Sequence, residues 1–229
     1  MTAAVIVFPG SNCDRDAAVA IQRLTGEKPV MVWHRDSEIP PCDLIVIPGG
    51  FSYGDYLRCG AIAATSPVMA AVRRRAEAGT PVLGICNGFQ ILVECGLLPG
   101  ALLRNASMRY VCKDVHIRVE TTATPATLGA RRGDVLRIPV AHGDGNYFAD
   151  EATLKLLEDE NRVVFRYCDR DGAVTARANP NGSIGNIAGI CNAERNVVGM
   201  MPHPERMFEP ELGGTDGAVI LRSALGLAA

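Results

Sequence analysis

The fold is decided by the stretch Pro81-Val82-Leu83-Gly84-Ile85-Cys86-Asn87-Gly88-Phe89-Gln90, in which an apolar strand gives way to the start of a helix. One cysteine stands at that junction, between Gly84 and Gly88. Small residues on both sides permit the sharp turn of a nucleophile elbow, with Cys86 projecting from its tip. The free amides of the following helix would favour a thiolate there. The competing interpretation is that Cys86 is a buried core thiol.

The first half of the chain alternates short apolar runs with helical patterns. Runs rich in Val and Ile that end at Pro or Gly are typical of buried parallel strands. Strands that alternate with helices predict right-handed crossovers and a doubly wound α/β sheet flanked by helices, with reactive groups at the carboxyl ends of the strands. The predicted strands cover residues 5–8, 30–33, 44–47 and 82–85, and the predicted helices cover residues 14–25 and 67–78.

Beyond about residue 103, alternating segments are separated by Gly-rich and Asn-rich turns. This pattern predicts an antiparallel extension of the same, mostly parallel sheet. A closing helix is predicted at about residues 215–225, with Thr215 as its cap. We expect a single domain over residues 1–229. The further strands are predicted at residues 113–120, 135–140, 163–167, 183–190 and 196–201.

The composition argues against several functional classes. With 229 residues, 48% of them hydrophobic, the chain can bury a substantial core. A formal net charge of -2 leaves no positive excess for a nucleic acid or a membrane surface. The eight cysteines include no Cys-x-x-Cys pair, so we expect no metal site. Because the chain opens directly into an apolar strand without a basic leader, we expect reduced thiols and a cytoplasmic protein.

An activated cysteine needs a base, and four histidines are available. His34 and His116 are predicted to have surface or edge roles. His142, in a Gly-rich loop, suits a binding loop. His203 lies between two prolines that fix the backbone, with Glu205 nearby, so rigidity favours His203 as the base. The spacing alone leaves both His142 and His203 open.

A second loop follows the third predicted strand and contains Gly49 and Gly50. Consecutive glycines after a strand often make only a tight turn. Beside a cysteine elbow, however, an N–H of this loop could point at a developing oxyanion, with the Asn87 amide as the second donor. Cys13 also follows a strand and precedes a helix, but it lacks paired glycines, so we expect it to serve loop structure.

These motifs together resemble those of the class I glutamine amidotransferases, and more closely those of the separate glutaminase subunits of phosphoribosylformylglycinamidine synthase. The resemblance extends from about residue 9 to residue 206. Asp144 departs from it, since a Glu is expected in the His-Gly-Glu-Gly pattern. The matching segments are residues 9–14, 49–55, 84–88, 179–183 and 201–206.

The resemblance implies a role for each matching residue. Cys86 would be the nucleophile, His203 the general base and acid, and Glu205 the group that orients the imidazole. Gly50 and Asn87 would form the oxyanion hole. The substrate would be glutamine, hydrolysed through a γ-glutamyl thioester. The expected substrate-binding residues are Phe51, Gln90, His142 and Tyr147.

The resemblance also implies partners. Ammonia would pass to a separate synthetase subunit, accompanied by a small accessory subunit. We find no ATP-binding motif, so we expect no cofactor on this chain, and ATP and Mg on the synthetase subunit, where formylglycinamide ribonucleotide becomes formylglycinamidine ribonucleotide in purine biosynthesis. The loops around Asn12, Tyr53 and Tyr147 are the predicted contact surface.

Two other functions compete with this interpretation. The first is a partner-independent cysteine hydrolase of a related α/β fold, which would act on other small amides or carbonyls. The second is a non-catalytic regulatory module. Such a module usually lacks a catalytic residue, whereas Cys86, His203 and Glu205 are all present.

Overall fold

The computed structural model describes residues 1–227, which form eleven strands and five α-helices. The strands are β1 (Ala3–Val7), β2 (Val30–Trp33), β3 (Leu44–Ile47), β4 (Val82–Ile85), β5 (Ala101–Leu103), β6 (Val111–Val119), β7 (Val135–His142), β8 (Asn146–Phe148), β9 (Val163–Cys168), β10 (Ile187–Cys191) and β11 (Val197–Met200). The helices are α1 (Asp14–Thr25), α2 (Pro67–Glu77), α3 (Asn87–Glu94), α4 (Glu151–Asp159) and α5 (Asp216–Ala224).

Nine strands form one sheet in the order β2-β1-β3-β4-β11-β10-β9-β6-β7. The five strands from β2 to β11 run parallel, and the remaining neighbours pair antiparallel. The predicted doubly wound sheet with an antiparallel extension is therefore confirmed. All residues of β3 and β4 are buried, as expected of central parallel strands.

The parallel half places three loops at one edge of the sheet. From β1 the chain adds β2 on one side, and then adds β3 on the other side of β1, so the order of strands reverses between β1 and β3. In doubly wound folds, ligands bind at such a switch point, outside the carboxyl ends of the strands. The loops after β1, β3 and β4 all leave from that edge. Because β11 lies beside β4, the segment that follows it leaves from there as well.

The sequence analysis missed three elements and misplaced one histidine. The short strands β5 and β8 pair with each other in a separate two-stranded sheet. The helix α4 begins after Asp150, whose side chain accepts a hydrogen bond from the Thr153 amide at 2.7 Å. Thr215 does precede α5 but makes no capping side-chain hydrogen bond. Of the surface or edge role predicted for His34, the edge position is confirmed, because His34 follows the border strand β2. The surface position is wrong, because the side chain is buried and its Nδ1 is 2.6 Å from the Tyr53 hydroxyl.

No helix within residues 1–227 is both long and apolar enough to span a lipid bilayer.

Candidate active site

Cys86 stands at the turn between β4 and α3 in a conformation unusual for a residue with a side chain. Its φ is 51° and its ψ is -105°. A Cβ at Gly84 would lie 2.8 Å from the Gly88 backbone, and a Cβ at Gly88 would lie 1.9 Å from the Ile47 carbonyl oxygen. Both glycines are therefore required by close approach of backbone segments, which is the geometry of a nucleophile elbow.

His203 follows β11 and is fixed from two sides. Its backbone N–H donates to the Pro139 carbonyl oxygen in β7 at 2.8 Å, and its Nδ1 is 2.6 Å from Glu205 Oε1. Both side chains are buried, and Nε2 has no hydrogen-bond partner among the described residues. A base oriented by a buried carboxylate, with its second nitrogen free, is the arrangement that a cysteine nucleophile requires.

The electrostatics favour a charged imidazole at His203. Burial alone would lower its pKa, but the negative charges of Glu205 and Cys86 outweigh burial and raise the pKa of His203 well above its usual value. A thiolate and imidazolium pair at this position would keep the sulfur nucleophilic.

Two backbone amides are available to hold an oxyanion. Gly50 has a φ of 137° and lines the same cavity as Cys86, and within residues 1–227 its N–H donates to no acceptor. Asn87 is the first residue of α3, so its N–H, like those of other first-turn residues, has no acceptor within the helix. The next residues are fixed, because the Phe51 N–H donates to the Gly10 carbonyl at 3.1 Å and the Ser52 N–H to Asn87 Oδ1 at 3.2 Å. Loop and elbow are thus joined to each other.

A cavity of about 190 Å³ opens beside Cys86. Three of the four predicted substrate-binding residues, Phe51, Gln90 and His142, line it. Gln90 is held in place, since its Nε2 donates to the Asp144 carbonyl at 2.7 Å and its Oε1 accepts from Asn87 Nδ2 at 2.9 Å.

The imidazole of His142 lines the cavity and is neutral and held in place by hydrogen bonds. Its Nδ1 is 3.1 Å from Asn105 Oδ1, and Asn181 Nδ2 is 3.5 Å from its Nε2. Burial, with a smaller contribution from the charge of His203, lowers the pKa of His142 to about 4. Its hydrogen bonds to two amide side chains identify it as the support of the loop, whereas His203 has the carboxylate partner of a base.

Tyr147 is not where the sequence analysis predicted. It is fully buried in β8, its hydroxyl donates to the Pro99 carbonyl at 2.9 Å, and its ring stacks on Phe89. It does not line the cavity, so the structure corrects its predicted contact with substrate. Its burial also removes it from the predicted partner surface. Of the other two residues predicted there, Tyr53 is half-buried and only Asn12 is exposed.

The cavity contains charged residues that the sequence analysis missed. Asp55 Oδ1 is buried without a hydrogen-bond partner in the described part of the chain, and burial raises the pKa of this carboxyl. Asp144 lines the same wall, and burial, together with the charges of both carboxylates, raises the pKa of the Cys59 thiol. Arg104 and Arg109 also line the cavity, and neither guanidinium forms an ion pair among residues 1–227. Carboxylates and free guanidinium groups in one cavity suit a zwitterionic amino acid.

Cys13 is the other residue whose position the sequence did not predict. It precedes α1 in a loop, as expected, but its buried sulfur accepts a hydrogen bond from Arg206 Nη2 at 3.0 Å and lies within 4.8 Å of a side-chain nitrogen of His203. Arg206 is held in turn by Asp16, with 3.0 Å between Nε and Oδ2. A second thiol therefore stands beside the candidate base.

Comparisons with known proteins agree with this geometry. Residues 1–213 match the family model of the CobB/CobQ-like glutamine amidotransferase domain. The chain is 60% identical over 224 residues to the phosphoribosylformylglycinamidine synthase subunit PurQ of Rhodospirillum rubrum, covering 97% of each chain. It is 57% identical to the PurQ subunit of Gloeobacter violaceus, covering 100% of this chain and 98% of that one.

Solved structures give the same assignment. A chain in the structure of PurLQS from Thermotoga maritima superposes with a TM-score of 0.86 and 44% identity, covering 98% of this chain and 97% of that one. The glutaminase domain of CTPS from Trypanosoma brucei, with bound acivicin, superposes with a TM-score of 0.61 at 12% identity and supports the fold alone. The chain belongs to the CobB/CobQ-like glutamine amidotransferases of class I and, within them, to the PurQ family.

Proposed function

We propose that this chain is the glutaminase subunit of phosphoribosylformylglycinamidine synthase. It hydrolyses glutamine to glutamate and ammonia and passes the ammonia to a separate ATP-dependent synthetase subunit, which converts formylglycinamide ribonucleotide to formylglycinamidine ribonucleotide. The observation that carries the proposal is the buried pair of His203 and Glu205 beside Cys86, with His203, Cys86 and Gly50 lining one small cavity. The full-length similarity to PurQ subunits supports the choice of substrate and pathway.

The chemistry proceeds in two halves. The Cys86 thiolate attacks the side-chain amide carbon of glutamine, and the charge that develops on the carbonyl oxygen is held by the N–H groups of Gly50 and Asn87. The His203 imidazolium gives its proton to the leaving nitrogen, so ammonia departs and a γ-glutamyl thioester remains. His203, now neutral, takes a proton from water as the water attacks the thioester, and the carbon–sulfur bond breaks to release glutamate. Glu205 stabilises the charged imidazole in both halves.

We propose no cofactor for this chain, with ATP and Mg on the synthetase subunit. The cytoplasm is its proposed location, in keeping with all eight cysteines being free thiols. The active-site residues Cys86, His203 and Glu205 and the single domain over residues 1–229 belong to the same proposal.

The rim of the cavity is our proposed contact surface for the synthetase subunit. Three exposed aromatic or apolar side chains line the cavity: Phe51 is 44% exposed, Met108 66% and Tyr110 53%. Tyr56, 75% exposed, and Leu57, 88% exposed, lie in the short segment between the lining residues Asp55 and Cys59. Apolar side chains gathered at such a rim are typical of a protein interface. Covering the mouth would keep ammonia from solvent during transfer. This rim keeps the predicted loop around Tyr53, adds Met108 and Tyr110, and leaves out the buried Tyr147.

Replacement of Cys86 by Ala tests the function. In the assembled complex, Cys86→Ala should abolish synthesis of formylglycinamidine ribonucleotide from glutamine and leave synthesis from added ammonia intact. Equal loss of both activities would contradict the assignment. Glutamine hydrolysis by the wild-type chain should rise strongly when the synthetase subunit is added, whereas a partner-independent hydrolase would act equally well alone, and a regulatory module would not hydrolyse glutamine at all.

A further inference from the structure

The Arg206 guanidinium is a competitor for the carboxylate that orients the base. Arg206 directly follows Glu205, in the segment after β11. Glu205 Oε1 holds His203 Nδ1 at 2.6 Å, whereas Glu205 Oε2 is buried and has no hydrogen-bond partner among residues 1–227. Guanidinium groups bind carboxylates strongly, and often through both oxygens at once. An ion pair between Arg206 and Glu205 would therefore draw the carboxylate away from His203.

Two residues at the start of α1 bind the guanidinium instead. Arg206 Nη2 donates to Cys13 Sγ at 3.0 Å, and Arg206 Nε donates to Asp16 Oδ2, also at 3.0 Å. Cys13 immediately precedes α1, and Asp16 lies in the first turn of that helix. In the described part of the chain, Arg206 forms its ion pair with Asp16 and not with Glu205. Two of the guanidinium nitrogens are thus engaged at α1.

The Cys13 sulfur is a close neighbour of both the guanidinium and the carboxylate. It is buried, and it lies within 4.8 Å of a Glu205 carboxylate oxygen and of a side-chain nitrogen of His203. The same sulfur accepts the hydrogen bond from Arg206. Burial lowers the pKa of Arg206, but the charges of Cys13 and Glu205 raise it above its ordinary value. The guanidinium therefore stays charged and is attracted to the carboxylate that it does not contact.

We propose that Cys13 and Asp16 are positioning residues, which hold the Arg206 guanidinium away from Glu205 so that the carboxylate remains with His203. This inference rests on the proposed function, in which Glu205 orients the base for glutamine hydrolysis. The arrangement lets Arg206 join α1 to the segment that carries the base without disturbing the base itself. If Cys13 only filled space beside α1, the effect of its removal would not depend on Arg206.

Removal of the Cys13 sulfur in the assembled complex is the first test. Cys13→Ala should lower kcat for glutamine hydrolysis by about tenfold, part of the roughly 10²–10⁴-fold contribution of a general base, with little change in KM. Cys13→Ser keeps an acceptor for Arg206 and should lose less. Cys168→Ala, which removes a similarly buried thiol from β9, should keep the wild-type kcat. A folded Cys13→Ala complex with wild-type kcat would overturn the proposal.

The decisive comparison repeats Cys13→Ala in an Arg206→Gln background. The neutral side chain of Arg206→Gln cannot form an ion pair with Glu205, so loss of the Cys13 sulfur should then lower kcat by less than about twofold. Ammonia-dependent synthesis, measured in the same complexes, should be unaffected throughout. An equal loss of kcat in both backgrounds would show that Cys13 acts independently of Arg206, and it would overturn the proposal.

Asp16→Ala is a third test, at a side chain that is 41% exposed. It releases Arg206 Nε without removing any contact of the base, so kcat should fall by about threefold, the equivalent of one partly exposed ion pair. In the Arg206→Gln background the same change should have no effect. An effect that is equal in both backgrounds, or absent from both, would refute the role of Asp16. A wild-type complex that does not hydrolyse glutamine would refute the proposed function instead, before any variant is compared.

Discussion

Replacement of Gly49 by Ala measures how closely the catalytic groups are packed. A Cβ at Gly49 would lie 2.7 Å from His203 Cε1, whereas its other near contacts are 3.3 Å to Cys13 Sγ and 3.4 Å to Cys86 Cβ. Ordinary contact begins at about 3.4 Å, so the imidazole must move by about 0.7 Å. Gly49 does not have a positive φ, and the backbone therefore accepts alanine without strain.

We expect this displacement of the imidazole to lower catalytic activity. A displacement approaching 1 Å of a catalytic group lowers the rate by about 100-fold, equivalent to about 2.7 kcal/mol of transition-state stabilisation. In Gly49→Ala we expect kcat/KM for glutamine to fall by about that factor, while ammonia-dependent synthesis by the complex is unchanged. Steady-state glutamine hydrolysis and thermal unfolding, measured side by side, separate displacement of the imidazole from loss of fold.

Gly143 provides the matched control. It lines the same cavity, and an added Cβ would meet nothing closer than Tyr110 Cδ2, at 3.8 Å. Gly143→Ala should therefore keep its activity. A folded Gly49→Ala protein with wild-type kcat/KM would refute the reasoning, as would an equal loss of activity in both variants.

Four further changes probe other parts of the site. Burial opposes the rise in the pKa of His203, and the charge of Glu205 drives that rise. Glu205→Gln should therefore lower kcat by about 10²–10⁴-fold with little change in KM for glutamine. An unchanged kcat would exclude the role of Glu205 in orienting the His203 imidazole. We expect the Asp55 carboxylate, which lines the cavity beside Cys86, to bind the α-ammonium group of glutamine. Asp55→Asn should then raise KM for glutamine by about tenfold, the loss of one charged hydrogen bond, and should leave hydrolysis of a glutamine analogue without the α-ammonium group unaffected; equal effects on both substrates would refute that contact. Leu57→Asp should weaken association with the synthetase subunit in analytical ultracentrifugation and leave ammonia-dependent activity of the separate synthetase intact, whereas unchanged association would place the interface elsewhere. The pKa of His142 is about 4 in the folded protein and ordinarily 6.5. The neutral imidazole therefore contributes about 3 kcal/mol to the free energy of unfolding above pH 6.5, and this contribution is lost as the pH falls toward 4. In urea titrations over that range, the free energy of unfolding of wild type should fall more steeply than that of His142→Gln.

The sequence was most informative where a local pattern has one physical cause. The bounds of β2, β3, β4 and α1 were predicted correctly. β3 and β4 are fully buried apolar runs of strand length, as predicted, whereas β2 is the border strand and exposes Met31 and Trp33. The elbow followed from two glycines that close backbone contacts require. The Asp150 cap of α4 was a readable signal that the sequence analysis missed.

The sequence does not show which side chains from distant segments meet in one site. Tyr147 lies five residues after His142, but β8 alternates its side chains and turns Tyr147 into the core. Asp55 and Arg104 come from distant segments, and nothing local indicates that both reach one cavity. The approach of Cys13 to His203 depends on packing between the start of α1 and the segment after β11. Each of these placements is set by tertiary contacts with long sequence separation.

The hydrogen bond from the His203 N–H to the Pro139 carbonyl in β7 also bears on the order of folding. Cys86 follows β4 in the parallel half of the sheet, whereas His203 is hydrogen-bonded to β7, the border strand of the antiparallel half. A nascent or partly folded chain can therefore form the elbow and still lack a positioned base. The site is therefore complete only when β7 and the segment after β11 are both in place.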